Sequence, residues 1–260
     1  MPSVIAIAAH PDDIEYTMAG TLLQLAKRGW DLHYVNLCDG SFGSSTMGPE
    51  ECARTRLSEA HEACRVLGAT FYPPIYPDME AEYTFANVAK VTAYVRQSRA
   101  SIVLTQSPSD YMEDHETACR LAVSAAFSRG MPNLISDPPV DCYYTPVTVY
   151  HTQPVGNRPP LGELVVPQFY VDHTELIDTK EASLACHACQ KVWLDESQGM
   201  DSYLQTMRDA GAELGRMSGQ FEYAEGWRRH LHWGFCGPDD DPLRDALADV
   251  IVEASECPNR

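Results

Sequence analysis

The first half of the chain alternates short apolar runs with stretches whose apolar residues recur every three or four positions. Apolar runs of four to eight residues are typical of buried strands, and the longer spacing is typical of amphipathic helices. Predicted strands cover residues 3–9, 32–37, 70–72 and 101–105. Predicted helices cover residues 14–25, 57–67, 85–95 and 118–125. Strands that alternate with helices predict a parallel sheet with right-handed crossovers.

The second half is less regular. It predicts strands at residues 146–152 and 168–172, and helices at 175–193, 202–217 and 243–254. No repeat, low-complexity tract or linker divides the chain. We therefore predict a single domain over residues 1–260, with an α/β fold. Its mostly parallel sheet is flanked by helices, and strands and helices are added in the C-terminal part.

Composition narrows the range of partners. The 260 residues include 19 Lys and Arg against 37 Asp and Glu, a net charge of −18. Such acidity disfavours nucleic acid and anionic lipid surfaces as partners.

No apolar run approaches the ~18 residues of a membrane span. The N-terminus lacks the basic segment of a secretory signal. Nine irregularly spaced cysteines fit free thiols in a reducing compartment, so we expect a cytoplasmic protein.

The end of the first predicted strand carries three titratable side chains, in the sequence His10-Pro11-Asp12-Asp13. Proline stops the strand there. Open α/β sheets bind ligands at the carboxyl ends of their strands. One imidazole and two adjacent carboxylates at such a place indicate a metal site with a base beside it. A plain turn, in which an aspartate caps the following helix, is the alternative.

A second polar segment follows the strand at residues 101–105 and ends in Asp114 and His115. His115 opens a helix, so it can face the same crevice as His10. We predict that His10, Asp13 and His115 bind a metal ion. Two histidines and one carboxylate leave coordination positions free, and they suit Zn²⁺, Fe²⁺ or another divalent ion. The alternative is that Asp114 caps the helix and that His115 is exposed.

The chain resembles the PIG-L/LmbE-type N-acetylglucosaminyl deacetylases, which are zinc enzymes with a Rossmann-like fold. The resemblance spans about residues 4–193 and rests on five motifs. These motifs are Ala9-His-Pro-Asp-Asp13 with Gly20-Thr-Leu22; Cys38-Asp-Gly40; Arg56, Glu59, Ala63 and Leu67-Gly68; Met112-Glu-Asp-His115; and Lys180 to His187 with Gln190.

The resemblance implies that His10, Asp13 and His115 hold zinc and that Asp12 is the general base. Arg56 would orient Asp12, although an ion pair with Glu59 on the surface remains the alternative. The implied substrate is an N-acetylated sugar or glycoconjugate amine, and the implied assembly is a homo-oligomer.

One position departs from the family pattern. Met112 stands where the family usually has a histidine, held by an aspartate that matches Asp114. Methionine cannot transfer a proton. His151, after a predicted strand, is a candidate replacement, unless Asp12 acts as both base and acid. Tyr111 or Asp110 could contact the oxyanion or the sugar hydroxyls.

Four other histidines carry weaker expectations. His173 and His187 are expected in the hydrogen-bonded core. His230 and His232 lie in an aromatic segment at residues 222–233, which is typical of core, of a subunit contact or of a sugar-binding wall.

Two other classes of function remain open. His10, Asp12 and a distant histidine also satisfy the ligand set of a non-haem Fe(II) oxygenase, although that motif is typical of an all-β fold. A Rossmann-like binding module without catalysis is the other alternative. The absence of G-x-G-x-x-G after the first strand weakens any dinucleotide site.

Overall fold

The computed structural model describes residues 1–198 and 203–254. Within them, eight strands form one continuous sheet. The strands are β1 (Ser3–Ala8), β2 (Asp31–Asn36), β3 (Thr70–Tyr72), β4 (Ile102–Thr105), β5 (Thr148–Thr152), β6 (Phe169–Asp172), β7 (Ala224–Arg229) and β8 (Ile251–Glu253).

The sheet has the order β3-β2-β1-β4-β5-β7-β6-β8. The first five strands in this order pair in parallel, and β7, β6 and β8 continue the sheet with antiparallel pairing. This arrangement confirms the predicted α/β class, the mostly parallel sheet and the added C-terminal strands.

Helices cover both faces of the sheet. They are α1 (Asp13–Thr17), α2 (Ala19–Lys27), α3 (Pro49–Leu67), α4 (Phe85–Ser98), α5 (Glu113–Ser128), α6 (Ile177–Leu184), α7 (Ala188–Gln198), α8 (Tyr203–Ser218) and α9 (Pro242–Leu247). Alternate residues of β1 enter two separate cores. Val4 packs with residues of α2 and α3, whereas Ile5 packs with residues of α4 and α5.

Four elements differ from the sequence-based prediction. Met18 separates α1 from α2, so the helix predicted at residues 14–25 is two helices. Residues 185–187 likewise divide the helix predicted at 175–193. The helix predicted at 243–254 ends at Leu247, and its last part is strand β8. Strand β7 was not predicted. The helix predicted from Ser202 begins, within the described residues, at Tyr203.

The strand order creates a crevice beside β1. The chain adds β2 and β3 on one side of β1 and then crosses to place β4 on the other side. At such a reversal the following loops diverge and leave room for a ligand beyond the carboxyl ends of the strands. His10 follows β1 and His115 follows β4, so both residues face this crevice.

Candidate active site

Three side chains with metal-ligand chemistry converge at the ends of β1 and β4. Atoms of His10, Asp13 and His115 lie within 4.8 Å of one another. Asp13 is central, because His10 Nδ1 is 3.5 Å from its Oδ2 and His115 Nε2 is 3.4 Å from its Oδ1. Donors about 2.1 Å from a tetrahedral ion lie about 3.4 Å apart. These separations therefore fit a divalent ion between the three side chains.

Each histidine faces a second carboxylate through its other ring nitrogen. Asp114 Oδ2 is 3.1 Å from His10 Nε2, and it also accepts the backbone N–H of Met79 at 2.8 Å. Asp110 Oδ2 lies 3.4 Å from His115 Nδ1. Because a carboxylate only accepts hydrogen bonds, the contact with Asp114 places a proton on His10 Nε2, and Asp110 is the carboxylate that faces His115 Nδ1 without forming a hydrogen bond. His10 Nδ1 and His115 Nε2 are then available as ligands.

The charges of the cluster are mutually stabilising. Burial acts to raise the pKa of Asp13, but the neighbouring His115 and His10 bring it below its ordinary value. Burial acts to lower the pKa of His10, yet Asp114 and Asp13 raise it. The pKa of His115 is likewise raised by Asp13 and Asp110 against the effect of burial. Such a set of buried nitrogen and oxygen donors suits a bound cation.

Asp12 lies beside the ligands in an uncommon backbone conformation. Its φ is 116°, in the region that favours glycine, and its side chain is buried. Strain of this kind is often found at functional sites. Tyr203 donates a hydrogen bond to Asp12 Oδ2, and Arg56 Nη2 is 3.6 Å from Oδ1. Burial raises the pKa of Asp12 more than Arg56 lowers it.

Arg56 is buried on α3 and does not form a surface ion pair. Its guanidinium donates to the carbonyl of Pro11 and to Gln190 Oε1. Gly40 permits this approach, because it has a φ of +76° and a Cβ there would lie 2.7 Å from Arg56 Nε. Glu59, the alternative partner, instead accepts the N–H of Cys189. Arg56 therefore fixes the backbone before Asp12 as well as contacting its side chain.

The cluster forms the floor of a cavity of about 560 Å³. The cavity walls come from loops after β2, β3 and β4 and from helices α7 and α8. Besides the residues of the cluster, they include Tyr16, Phe42, Asp78, Met79, Tyr111, Met112, Val155, Gln190, Trp193, Leu194, Tyr203 and Thr206. The ring of Tyr111 meets that of His115 edge-on, with centroids 5.2 Å apart.

Several predicted candidates lie elsewhere. His151 does not line the cavity, because its Nδ1 contacts the carbonyl of Gln106 at 2.9 Å and its Nε2 contacts His230 at 2.9 Å. Asp114 contacts His10 rather than the open cavity. His173 and His187 are fully buried, as expected, but their ring nitrogens have no hydrogen-bond partner among the described residues, so the expected hydrogen bonds are not formed.

Tyr203 is the site residue that the sequence reasoning missed. It lies 191 residues from Asp12 along the chain, on a helix that was predicted without any site role. An aromatic residue at a buried helical position carries no local signal of a polar contact. The resemblance did include Gln190, but not its contact with Arg56.

The ligand set proposed for an oxygenase does not assemble. Asp13, not Asp12, converges with His10 and His115 among the described residues. Asp12 is instead engaged by Tyr203 and Arg56. The sheet is also flanked by helices, whereas that ligand motif is typical of an all-β fold.

Comparisons with known proteins agree with this geometry. Residues 5–127 match the family described as PIG-L, GlcNAc-PI de-N-acetylase. The matched region contains His10, Asp13 and His115, and it ends before β5 begins. A diacetylchitobiose deacetylase of Thermococcus kodakarensis is 28% identical over 234 residues, which cover 86% of this chain and 82% of the relative.

Two solved structures share the fold at 23% identity. The N,N'-diacetylchitobiose deacetylase of Pyrococcus horikoshii aligns with a TM-score of 0.73, over 88% of this chain and 83% of its own. The 4-carboxy-2-hydroxymuconate hydratase of Pseudomonas putida aligns with a TM-score of 0.71, over 88% of this chain and 96% of its own. The same fold therefore occurs in a deacetylase and in a hydratase.

Proposed function

We propose that this chain, of which residues 5–127 match the PIG-L family, is a metal-dependent N-deacetylase that hydrolyses the acetamide of an N-acetylated amino sugar or glycoconjugate. The observation that supports this most directly is the convergence of His10, Asp13 and His115, with Asp12 beside them. A metal site with an adjacent free carboxylate suits amide hydrolysis, because the ligand carboxylate cannot also act as the base.

We propose Zn²⁺ as the ion, since two imidazoles and one carboxylate with open positions are typical of catalytic zinc. Fe²⁺ or another divalent ion would fit the same donors. A divalent ion held by His10, Asp13 and His115 would lower the pKa of a water molecule and polarise the substrate carbonyl. The carboxylates of Asp114 and Asp110 would keep the two imidazoles in the required tautomer.

Asp12 performs the proton transfers in this proposal. Its carboxylate accepts the proton of the attacking water and then delivers it to the departing amine. Arg56 and Tyr203 hold the carboxylate in place through opposite oxygens. Met112 lines the cavity but offers no titratable proton, and His151 lies outside it. Both the base and the acid roles therefore fall to Asp12.

The proposal is tested by measuring amine release with fluorescamine across N-acetylated sugars. Metal-free protein prepared with a chelator is compared with the same protein after addition of Zn²⁺, Fe²⁺ or Mn²⁺. We expect amine release only with a divalent ion, and loss of that release in Asp12→Asn. Metal-independent release, or metal-loaded protein inactive on all N-acetylated sugars, would contradict the proposal. Because the fold also occurs in a hydratase, the same preparations are assayed for water addition to a conjugated carboxylate.

The remaining expectations stay proposals. The single sheet supports one domain over the described residues. Cysteines in that part of the chain are unpaired, which supports a reducing compartment such as the cytoplasm. No described helix is both long and apolar enough to span a bilayer.

An apolar groove between α4 and α5, with Phe85 and Phe127 exposed, supports a homo-oligomer. Size-exclusion chromatography with light scattering tests this assembly.

A further inference from the structure

The mouth of the cavity is lined by large apolar side chains. Those that reach it are Phe42, Met79, Tyr111, Met112, Trp193 and Leu194. Phe42, Met79 and Tyr111 expose 51%, 64% and 60% of their surface. Apolar side chains that cluster around a catalytic floor are typical of a ligand-binding wall. A free monosaccharide is polar on most of its surface, so it would leave much of this wall unused.

The same wall lacks cations. Among the described residues that line the cavity, Arg56 is the only Arg or Lys. Its guanidinium is buried and is engaged by Pro11, Gln190 and Asp12. Among the described residues that line the cavity, a phosphate or carboxylate group on the substrate would therefore find no cation free to pair with it.

Much of the apolar wall, including Phe42, Met79, Tyr111 and Met112, lies within residues 5–127 together with the floor, and the rest of the wall lies beyond that region. His10, Asp13 and His115 lie within the residues that match the PIG-L family, whereas Trp193 and Leu194 on α7 lie beyond them.

We propose that the substrate is an N-acetylated amino sugar linked to a neutral, apolar aglycone, which packs against Phe42, Trp193 and Leu194. This inference rests on the proposed deacetylase function and adds the chemistry of the group that accompanies the sugar. Glycosides that carry a phosphate or carboxylate group are disfavoured, because desolvating that charge at an apolar wall without a cation is costly.

Binding and turnover are measured with three ligands that share the sugar. They are 4-nitrophenyl N-acetyl-β-D-glucosaminide, N-acetyl-D-glucosamine and N-acetyl-D-glucosamine 1-phosphate. Calorimetry uses zinc-loaded Asp12→Asn protein, so that the ligand is not consumed, and kcat/KM is measured on the wild type. We expect the aryl glycoside to bind at least about 10-fold more tightly than either other ligand. Equal affinity for the free sugar, or tighter binding of the 1-phosphate, would overturn the inference.

Alanine variants test which cavity residues cause the tighter binding of the aryl glycoside. Phe42→Ala and Trp193→Ala should each reduce the advantage of the aryl glycoside roughly 5- to 10-fold and leave binding of the free sugar nearly unchanged. Trp233→Ala is the matched control, because this exposed tryptophan does not line the cavity. An aryl preference that survives both cavity variants would contradict the assignment of the wall.

A gain of function tests the charge argument. Met79→Lys places a cation at the mouth and should improve binding of the 1-phosphate about 5-fold, while Met79→Gln, which is neutral, should not. If Met79→Lys leaves that affinity unchanged, the argument from missing cations fails.

Failure of this inference differs from failure of the proposed function. Amine release from all three ligands at similar kcat/KM, with similar affinities, would retain the deacetylase and overturn the aglycone preference. Tight, wall-dependent binding of the aryl glycoside without any amine release would retain the preference and overturn the deacetylase.

Discussion

The hydroxyl of Tyr203 on α8 donates a hydrogen bond to the Oδ2 of Asp12 in the loop after β1. Both side chains are buried, with exposures of 3% and 7%. The contact joins the C-terminal helices to the residue that we propose as the base. We propose that Tyr203 is a positioning residue, which acts by holding the carboxylate of Asp12.

Tyr203→Phe should retain the ring packing and lose the donor. A hydrogen bond to a charged group contributes about 1.5–3 kcal/mol, so we expect kcat to fall roughly 10- to 100-fold with little change in KM. Tyr94→Phe is the matched control. Tyr94 lies on α4 and does not line the cavity, and its hydroxyl donates a hydrogen bond to the carbonyl of Pro73. Steady-state kinetics of amine release provide the measurement, and equal losses in the two variants would contradict the role of Tyr203.

Asp12→Asn should separate proton transfer from metal binding. Asparagine has nearly the same shape and tolerates a positive φ, so the fold and the three ligands should persist. We expect a loss of about 10²- to 10⁴-fold in kcat, with one metal ion still bound per chain. In Asp13→Asn, elemental analysis should instead show the loss of the metal. An Asp12→Asn protein with full activity would refute the assignment of the base.

Asp110→Asn and Asp114→Asn should weaken metal binding without removing a ligand. Each carboxylate faces the far nitrogen of one ligand histidine, at 3.4 and 3.1 Å. Loss of such a partner typically costs 10- to 100-fold in metal affinity, so we expect changes of about that size. Asp239→Asn, at an exposed turn, is the control. Competition with a chromogenic zinc chelator measures the affinities, and unchanged values would show that these carboxylates do not act through the histidines.

His173 should make stability sensitive to mild acid. Burial, assisted by nearby Lys180 and opposed by Glu225, lowers the pKa of His173 to about 3. The unfolded chain binds the proton near pH 6.5, so this stabilisation is present above pH 6.5 and is lost as the pH falls toward 3. Between pH 7 and 5, the wild type should lose about 2 kcal/mol more unfolding free energy than His173→Gln.

Urea denaturation of metal-free protein at each pH measures this difference. His61→Gln, at an exposed position, should lose as much stability as the wild type. If His173→Gln also follows the wild-type curve, protonation of His173 does not limit stability.

Regular hydrophobic patterns made most of the parallel part of the sheet, β1 to β5, predictable from the sequence. Strand β7 was not predictable in this way, because its sequence Ala224-Glu-Gly-Trp-Arg-Arg229 has no alternation of apolar and polar residues. Glu225 is buried in that strand, where it accepts the N–H groups of Gly20 and Thr21 and pairs with Lys180. Tertiary contacts of this kind stabilise a strand that its own residues do not indicate.

The site could be predicted where its residues follow strands in sequence. His10 and Asp13 were found because they follow β1, and His115 was found because it opens the helix after the loop that follows β4. The contacts of His151 could not be predicted. Its place near the end of a strand does not determine which neighbouring groups form hydrogen bonds with its ring nitrogens. Tyr203 could not be predicted either, because its contact depends on how α8 packs across the crevice.

The separation of Tyr203 from the metal cluster also has a consequence for protein synthesis. The three proposed ligands and β1 to β4 all lie within residues 1–115, whereas Tyr203 lies far beyond them along the chain. Asp12 meets its tyrosine only after residue 203 has left the ribosome. The contact that positions Asp12 is therefore the last part of the proposed site to be synthesised.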